Sequence, residues 1–216
     1  MSFEYSVFIS YRRNKGNRGF LKNFKEIVET EAMDVTNLKN AFFDEDSIRW
    51  GVEFDDKIYD SIIKSHFFIP LFNYIYLHED NDWCARELYY AIEVEKIIRK
   101  ALDNNDFCYI LPIIHKGSIN ILPNCINNKN AKEIRRIILS IKKNKDNNKT
   151  EDFRDFLETN FSKNFDIKNQ IEIDLVKLCS SIKKPTDEEI KKWILEQKQI
   201  IRKKESLTPP LYTKNE

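Results

Sequence analysis

The fold of this 216-residue chain is decided by residues 5–11, YSVFISY, a run of β-branched and aromatic residues with little polarity. Such a run is typical of a central strand that is covered on both faces. Residues 66–72 (HFFIPLF) and 107–114 (FCYILPII) have the same character. A shorter strand is predicted at residues 40–43. The sequence therefore predicts a buried sheet in the first half of the chain.

Helical periodicity occupies the intervals between these strands. Apolar residues recur at helical spacing in residues 20–30, 54–63 and 83–100. Strands that alternate with helices predict right-handed crossovers and a parallel sheet with helices on both faces. The predicted fold class is α/β, flavodoxin-like, with a central parallel sheet of about five strands. Residues 133–141 fit either the fifth strand or a helix.

The last third of the chain is predicted to be mainly helical. Further helices are expected at residues 151–160, 170–183 and 187–205. Thr186 and Glu189 have the spacing of a capping box at the start of the last helix. We expect this C-terminal helical extension to pack on the domain in preference to forming a dimer, and residues 206–216 to form a flexible tail.

Composition argues against several classes of function. Lys+Arg (36) and Asp+Glu (35) nearly balance, so the sequence lacks the excess of basic residues that would indicate nucleic-acid binding. Neither G-x-G-x-x-G nor a P-loop occurs, so any nucleotide is held in another way. The cysteines and histidines lack metal-ligand spacing, and no metal is predicted. No signal peptide is recognisable and the longest apolar run, residues 66–77, is short of the ~20 residues of a membrane helix. We therefore expect a cytoplasmic protein that binds no membrane.

Three segments together resemble the signature regions of TIR domains, the Toll/interleukin-1 receptor and resistance-protein fold. They are residues 5–13 (YSVFISYRR), 42–51 (FFDEDSIRWG) and 82–88 (DWCAREL). They follow one another in the family's order and on the corresponding elements, and the resemblance is closest to the NAD-cleaving members.

The resemblance also suggests how the chain is organised. It implies a TIR domain at residues 1–183, with the core motifs in residues 4–140. A C-terminal helix at residues 184–205 and the tail then follow, and the resemblance leaves the purpose of that helix unexplained.

The resemblance implies one catalytic residue, a glutamate four positions after a tryptophan on the helix that follows the third strand. Here these are Glu87 and Trp83, which share a helix face. It further implies a substrate-binding set around the same crevice, namely Tyr11, Arg12, Arg13, Phe43, Asp44 and Trp83. The BB loop of the family, which covers the site and joins subunits, corresponds to residues 44–52. Its predicted assembly residues are Asp46, Arg49, Trp50 and Gly51.

General geometry leads to the same crevice. In an open parallel sheet, ligands bind at the carboxyl ends of the strands, where Arg12, Asp44 and the segment before Trp83 are found. Hydrolysis of an ordinary glycoside takes two carboxylates, but nicotinamide leaves NAD+ as a neutral molecule and needs no general acid. One carboxylate, that of Glu87, therefore suffices to stabilise the oxocarbenium-like ribose. Arg12 is expected to pair with the diphosphate.

The implied function is that of an NAD+ glycohydrolase or cyclase in antiphage defence, with NAD+ as substrate and no cofactor. Its products are nicotinamide with ADP-ribose or with a cyclic ADP-ribose isomer that acts as a signal. Self-assembly through TIR–TIR contacts and a separately encoded effector are the expected partners. The alternatives are a non-enzymatic adaptor that works by TIR–TIR assembly, and a virulence factor that mimics host TIR domains. The pair Trp83 and Glu87 favours the enzyme.

The candidate residues also have simpler structural interpretations. Glu87 lies among charged residues and fits a solvated helix face, while Trp83 fits a core aromatic. Arg12 and Arg13 fit a surface pair. Cys84, next to Trp83, has no histidine nearby in the motif, and burial is favoured over a nucleophilic role.

Overall fold

Parallel strands with helices on both faces form the core of the described structure. It is a computed structural model and describes residues 3–12, 18–36, 38, 40–43, 53–77, 83–105, 107–114, 121–123, 155, 175–179 and 181–207. The strands are β1 (Tyr5–Tyr11), β2 (Phe42–Phe43), β3 (Ser65–Phe72) and β4 (Ile113–Ile114). The helices are α1 (Arg18–Thr36), α2 (Glu53–Ile63), α3 (Trp83–Leu102), α4 (Leu175–Cys179) and α5 (Asp187–Leu207). No helix in these ranges is long and apolar enough to cross a lipid bilayer.

The described strands pair in the order β2-β1-β3-β4, and every pair is parallel. Phe8 of β1 is in register with Phe42 of β2 and with Phe68 of β3. β1 thus has a neighbour on each edge and helices over each face, which is why its sequence is apolar almost throughout. The predicted α/β class with flavodoxin-like order is confirmed.

The fourth strand is shorter than the prediction of residues 107–114. Only Ile113–Ile114 forms regular strand, preceded by an isolated bridge between Ile110 and Phe68. The backbone N–H groups of Tyr109 and Ile110 donate to Oε2 of Glu95 on α3, both at 2.8 Å. Pro112 has no N–H to give. These groups are unavailable to a continuous ladder, so the ladder is short.

Side-chain alternation along β1 divides the core into two clusters. Val7, Ile9 and Tyr11 lie in a cluster with Phe24 and other residues of α1. Phe8 lies in the other cluster, which α2, α3, α4 and α5 cover. We call the first side of the sheet the α1 face and the second the α3 face. The two faces differ in what they bury, as shown below.

α5 packs on the α3 face. The predicted capping box is confirmed: Thr186 N–H donates to Glu189 Oε2 at 2.8 Å, and Glu189 N–H donates to Thr186 Oγ1 at 3.2 Å. Ile190 and Ile194 are fully buried, and Trp193 meets Tyr89 of α3 edge to face with centroids 5.8 Å apart.

Several other predicted elements are only partly covered by the described residues. Residues 133–141 lie outside them, as does all of 151–160 except Asp155. Of the predicted helix 170–183, Leu175–Cys179 is described as helical. The tail from residue 208 onward is also outside. These predictions stay as stated.

Candidate functional site

The candidate site is built around Glu87, one helical turn into α3. Its side chain is buried, with 5% of the residue exposed. Ser10, the penultimate residue of β1, donates a hydrogen bond from Oγ to Glu87 Oε2 at 2.5 Å. A buried carboxylate is costly unless such donors satisfy it. The interpretation of Glu87 as part of a solvated helix face is therefore wrong.

Tyr76 extends this contact into a chain of hydroxyl groups. Its Oη lies 2.5 Å from Ser10 Oγ, and its side chain is fully buried. A serine hydroxyl has one proton, which Ser10 gives to Glu87, so Tyr76 must be the donor to Ser10. Burial, together with the charges of Cys84 and Glu87, raises the pKa of Tyr76 well above its ordinary value. Tyr76 therefore stays neutral and directs its proton toward Ser10.

Trp83 lies at the first position of α3 and is partly buried against the α3-face cluster. The guanidinium of Arg86 lies over its ring, 5.8 Å from the centroid. Arg86 is itself buried; it donates to the carbonyl of Pro185 at 3.1 Å and forms an ion pair with Asp187 of α5. The turn that carries Trp83 and Glu87 is thus tied to the start of α5.

Arg12 follows β1 at the carboxyl end of the sheet and is half-buried. Its Nη1 donates to the carbonyl of Ile75 at 2.9 Å. This bond joins the end of β1 to the turn that contains Tyr76. Arg12 is therefore placed beside the segment that leads from β3 to Glu87.

Tyr11 and Phe43 lie on the opposite side of the sheet from Glu87. Their rings stack with centroids 4.6 Å apart, and both residues are buried in the α1-face cluster. Lys25 of α1 lies over the ring of Phe43 at 5.4 Å. Of the sequence-predicted residues, the structure thus brings Arg12, Trp83 and Glu87 to the same end and face of the sheet, and it places these two aromatic residues beneath α1.

The remaining predicted site residues lie outside the described residues. They are Arg13, Asp44, Asp46, Arg49, Trp50 and Gly51. Their predicted roles in substrate binding and assembly stay predictions. Cys84 is buried, as its structural interpretation predicts. In the ranges that the structure describes, no group of three or more His, Cys, Asp or Glu side chains could hold a metal ion.

Sequence reasoning missed Ser10 and Tyr76. Strand alternation contains a signal for Ser10, because residues 8 and 10 of a strand share a face and residue 11 does not. A serine near the carboxyl end of an apolar strand that is followed by helices is a candidate partner for a polar group on one of them. Tyr76 has no comparable signal, since it lies in an apolar run and only the turn after β3 brings it to Ser10.

The order of the strands and the buried carboxylate near the end of β1 define a flavodoxin-like α/β domain with a polar site at the carboxyl end of its sheet. Residues 4–102 match the model of the TIR domain family.

The chain is also similar to a solved structure, the TIR domains of the activated Roq1 resistosome directly recognizing the pathogen effector XopQ. The sequences are 16% identical, and the match covers 82% of this chain and 95% of that chain with a TM-score of 0.38. No curated protein matches the chain.

Proposed function

We propose that the protein is a TIR-domain enzyme that cleaves the bond between nicotinamide and ribose in NAD+. The observation that carries the proposal is the carboxylate of Glu87, which is buried and accepts a hydrogen bond from Ser10. It lies one turn after Trp83, in a segment that matches the model of the TIR domain family. A buried carboxylate with a dedicated donor is the kind of group that stabilises a developing positive charge.

The proposed chemistry needs only this one carboxylate. The bond from ribose C1′ to the pyridinium nitrogen breaks, and nicotinamide leaves as a neutral molecule with the electron pair. Glu87 stabilises the oxocarbenium-like ribose through its hydroxyls or at C1′. Water then adds to C1′ and loses a proton, which gives ADP-ribose. Attack by an adenine or ribose atom of the same molecule gives a cyclic ADP-ribose isomer instead.

Ser10 and Tyr76 are positioning residues in this proposal. The chain of donors from Tyr76 through Ser10 fixes the orientation of the Glu87 carboxylate, since each hydroxyl is held at 2.5 Å by the next. A carboxylate that is held in place before the substrate arrives need not reorganise during the reaction. The contribution of the two hydroxyls is therefore expected in kcat more than in KM.

Arg12 and Trp83 are the proposed substrate-binding residues of the described part. The bond from Arg12 to Ile75 uses one of the five N–H donors of the guanidinium. The other N–H donors of the guanidinium suit a diphosphate. The sequence has no glycine-rich loop that would bind this group instead. The ring of Trp83 suits stacking against nicotinamide or adenine. Arg13 and Asp44 are proposed to complete the contacts.

The proposal extends to the location, the biological role and the assembly of the enzyme. We place the enzyme in the cytoplasm, in antiphage defence, where it acts by lowering NAD+ or by making a cyclic signal for a separately encoded effector. Self-assembly is proposed through the BB loop, with Asp46, Arg49, Trp50 and Gly51. Because a site covered by a neighbouring subunit forms only in the assembly, the specific activity should rise with protein concentration.

Incubation of the purified protein with NAD+ and chromatography of the products test the enzymatic proposal. Glu87→Gln keeps an oxygen that accepts from Ser10 but removes the charge, so the rate should fall on the order of 100- to 1,000-fold. Glu93→Gln is the matched control, since Glu93 lies on the same helix in an exposed pair with Lys96, and its rate should equal that of the wild type. Failure of the wild type to release nicotinamide at any protein concentration, or full activity of Glu87→Gln, would contradict the proposal.

A further inference from the structure

A cavity of about 250 Å³ lies between the turn after β3 and the C-terminal half of α5. The β3 side contributes Phe72 and Leu77, and α5 contributes Lys198, Ile201 and Arg202. None of these residues belongs to the TIR motifs or to the site around Glu87. The C-terminal helix, whose purpose the family resemblance leaves unexplained, thus forms one wall of this cavity.

The walls of the cavity combine an apolar interior with an aromatic rim. Phe72, Leu77 and Ile121 are buried residues that present apolar atoms to it. Tyr74 stands at the rim and is 73% exposed. An exposed tyrosine beside an apolar recess is suited to stack on a planar ring. The ring of a ligand would thus contact the apolar wall on one side and Tyr74 on the other.

The charge at the rim is positive. Lys198 and Arg202 line the cavity together with one acidic residue, Glu205. Among the residues that the structure describes, Arg202 makes no ion pair. Its guanidinium can therefore bind a phosphate or carboxylate with two parallel hydrogen bonds.

We infer that this cavity binds a small molecule that combines a planar ring with an anionic group. A nucleoside monophosphate and an aromatic carboxylate both have this chemistry. The volume lies just under the ~300 Å³ at which pockets for drug-sized ligands begin, so a whole dinucleotide is too large. The ligand is therefore distinct from the proposed substrate.

Tyr76 connects the cavity with Glu87. Tyr76 lines the cavity, and its hydroxyl holds Ser10, which holds the carboxylate of Glu87. A ring that stacks on Tyr74 holds the turn that carries the buried Tyr76, and so favours the position in which Tyr76 donates to Ser10. This part of the inference rests on the proposed function: occupancy of the cavity should raise kcat for NAD+ cleavage, by about 5-fold if the coupling has a typical size.

Calorimetric titration of the full chain tests the site without any need for activity. The probes are uridine monophosphate, which represents nucleoside monophosphates, and benzoate, which represents aromatic carboxylates. Uridine and inorganic phosphate are tested separately, because each carries only one of the two groups of uridine monophosphate. We expect at least one intact probe to bind with a Kd below ~1 mM, the loss of either half to weaken binding at least ~10-fold, and Arg202→Ala to do the same. Lys203→Ala is the matched control, since Lys203 is exposed on the same helix and does not line the cavity.

Binding of neither probe would overturn the inference, as would equal binding by Arg202→Ala or by uridine alone. If the protein cleaves NAD+, the preferred probe should raise kcat in the wild type, and Tyr76→Phe should bind the probe without that increase. An unchanged kcat at saturating probe would overturn the coupling to Glu87. If the protein does not cleave NAD+, the proposed function fails, while the calorimetric result still decides whether the site exists.

Discussion

The two faces of the sheet are built on the same strands but bury different chemistry. On the α1 face, Val7, Ile9 and Tyr11 of β1 meet apolar residues of α1. On the α3 face the same strand presents Ser10 to Glu87. The Arg and Glu side chains that are buried within the described residues, Arg86, Glu87 and Glu95, all belong to α3.

This difference separates a face that buries apolar side chains from a face that buries charged groups as well. Burial of apolar area on the α1 face is favourable without further conditions. Each charged group on the α3 face needs dedicated partners, because an unpaired buried charge is strongly destabilising. Arg86 has Pro185 and Asp187, and Glu95 has two backbone amides and Arg99. Arg86 and Glu95 thus join α3 to the start of α5 and to the segment before β4. Glu87 instead accepts from the hydroxyl of Ser10, near the carboxyl end of β1. In a parallel sheet this is the end at which ligands bind.

The largest expected effect comes from removing one large buried side chain on each face of the sheet and comparing the remaining activity of the two variants. Phe24→Ala removes a buried ring from the α1 face, and Leu88→Ala removes a buried side chain next to Glu87. Both should lower the free energy of unfolding, by about 3–5 kcal/mol for phenylalanine and 2–5 kcal/mol for leucine. Urea unfolding measures this loss, and NAD+ cleavage is then compared per folded molecule. Only Leu88→Ala should lower the activity; a larger activity loss in Phe24→Ala would reverse the assignment of the faces.

A smaller effect is expected within β1, where two serines face the same side. Ser10→Ala leaves Glu87 without its serine donor and should cost about 1–3 kcal/mol of stability. It should also lower kcat on the order of 10- to 100-fold with little change in KM, because the carboxylate loses its orientation. Ser6→Ala removes the 3.3 Å bond to the carbonyl of Asn40 at the other end of the strand, so it should affect stability alone.

Rescue separates positioning from general packing. Ser10→Thr keeps the hydroxyl and should recover much of the activity that Ser10→Ala loses. Equal losses of kcat in Ser10→Ala and Ser6→Ala, or no recovery in Ser10→Thr, would mean that Ser10 contributes only to the fold.

The same comparison shows how far the sequence could predict this molecule. The bounds of β1 and the start of α3 follow from local patterns, since a continuous apolar run and a helical period are properties of neighbouring residues. The hydrogen bonds of Ser10 with Glu87 and with Tyr76 join residues far apart in the chain, which no local period contains. The short β4 had the same cause, because the amides of residues 109 and 110 are taken by Glu95, which is distant in sequence. The family resemblance implies Tyr11 as a site residue at the end of the first strand, but strand alternation turns its side chain to the α1 face.

The smallest expected effect concerns Glu95, whose carboxylate accepts hydrogen bonds from the backbone of residues 109 and 110. We expect its titration to change the stability of the fold and to leave the activity unchanged. Burial raises its pKa above the ordinary value, although the amides of Ile110 and Tyr109 and the charge of Arg99 oppose this. The folded state therefore binds the proton more tightly than the unfolded state does. The stability that this group contributes is full below the ordinary pKa of about 4.5 and is lost as pH rises through the folded value.

Glu95→Gln removes this titration and keeps an oxygen that can accept from the two amides. Urea unfolding at a series of pH values from 4 to 7 should show the wild type losing stability relative to Glu95→Gln as pH rises. NAD+ cleavage per folded molecule should stay equal in the two proteins at every pH, because Glu95 faces Tyr109 and Ile110 and not the end of β1. A wild type that gains stability relative to Glu95→Gln over this range would show that the amides and Arg99 outweigh burial, so that Glu95 is held in the fold as a charge.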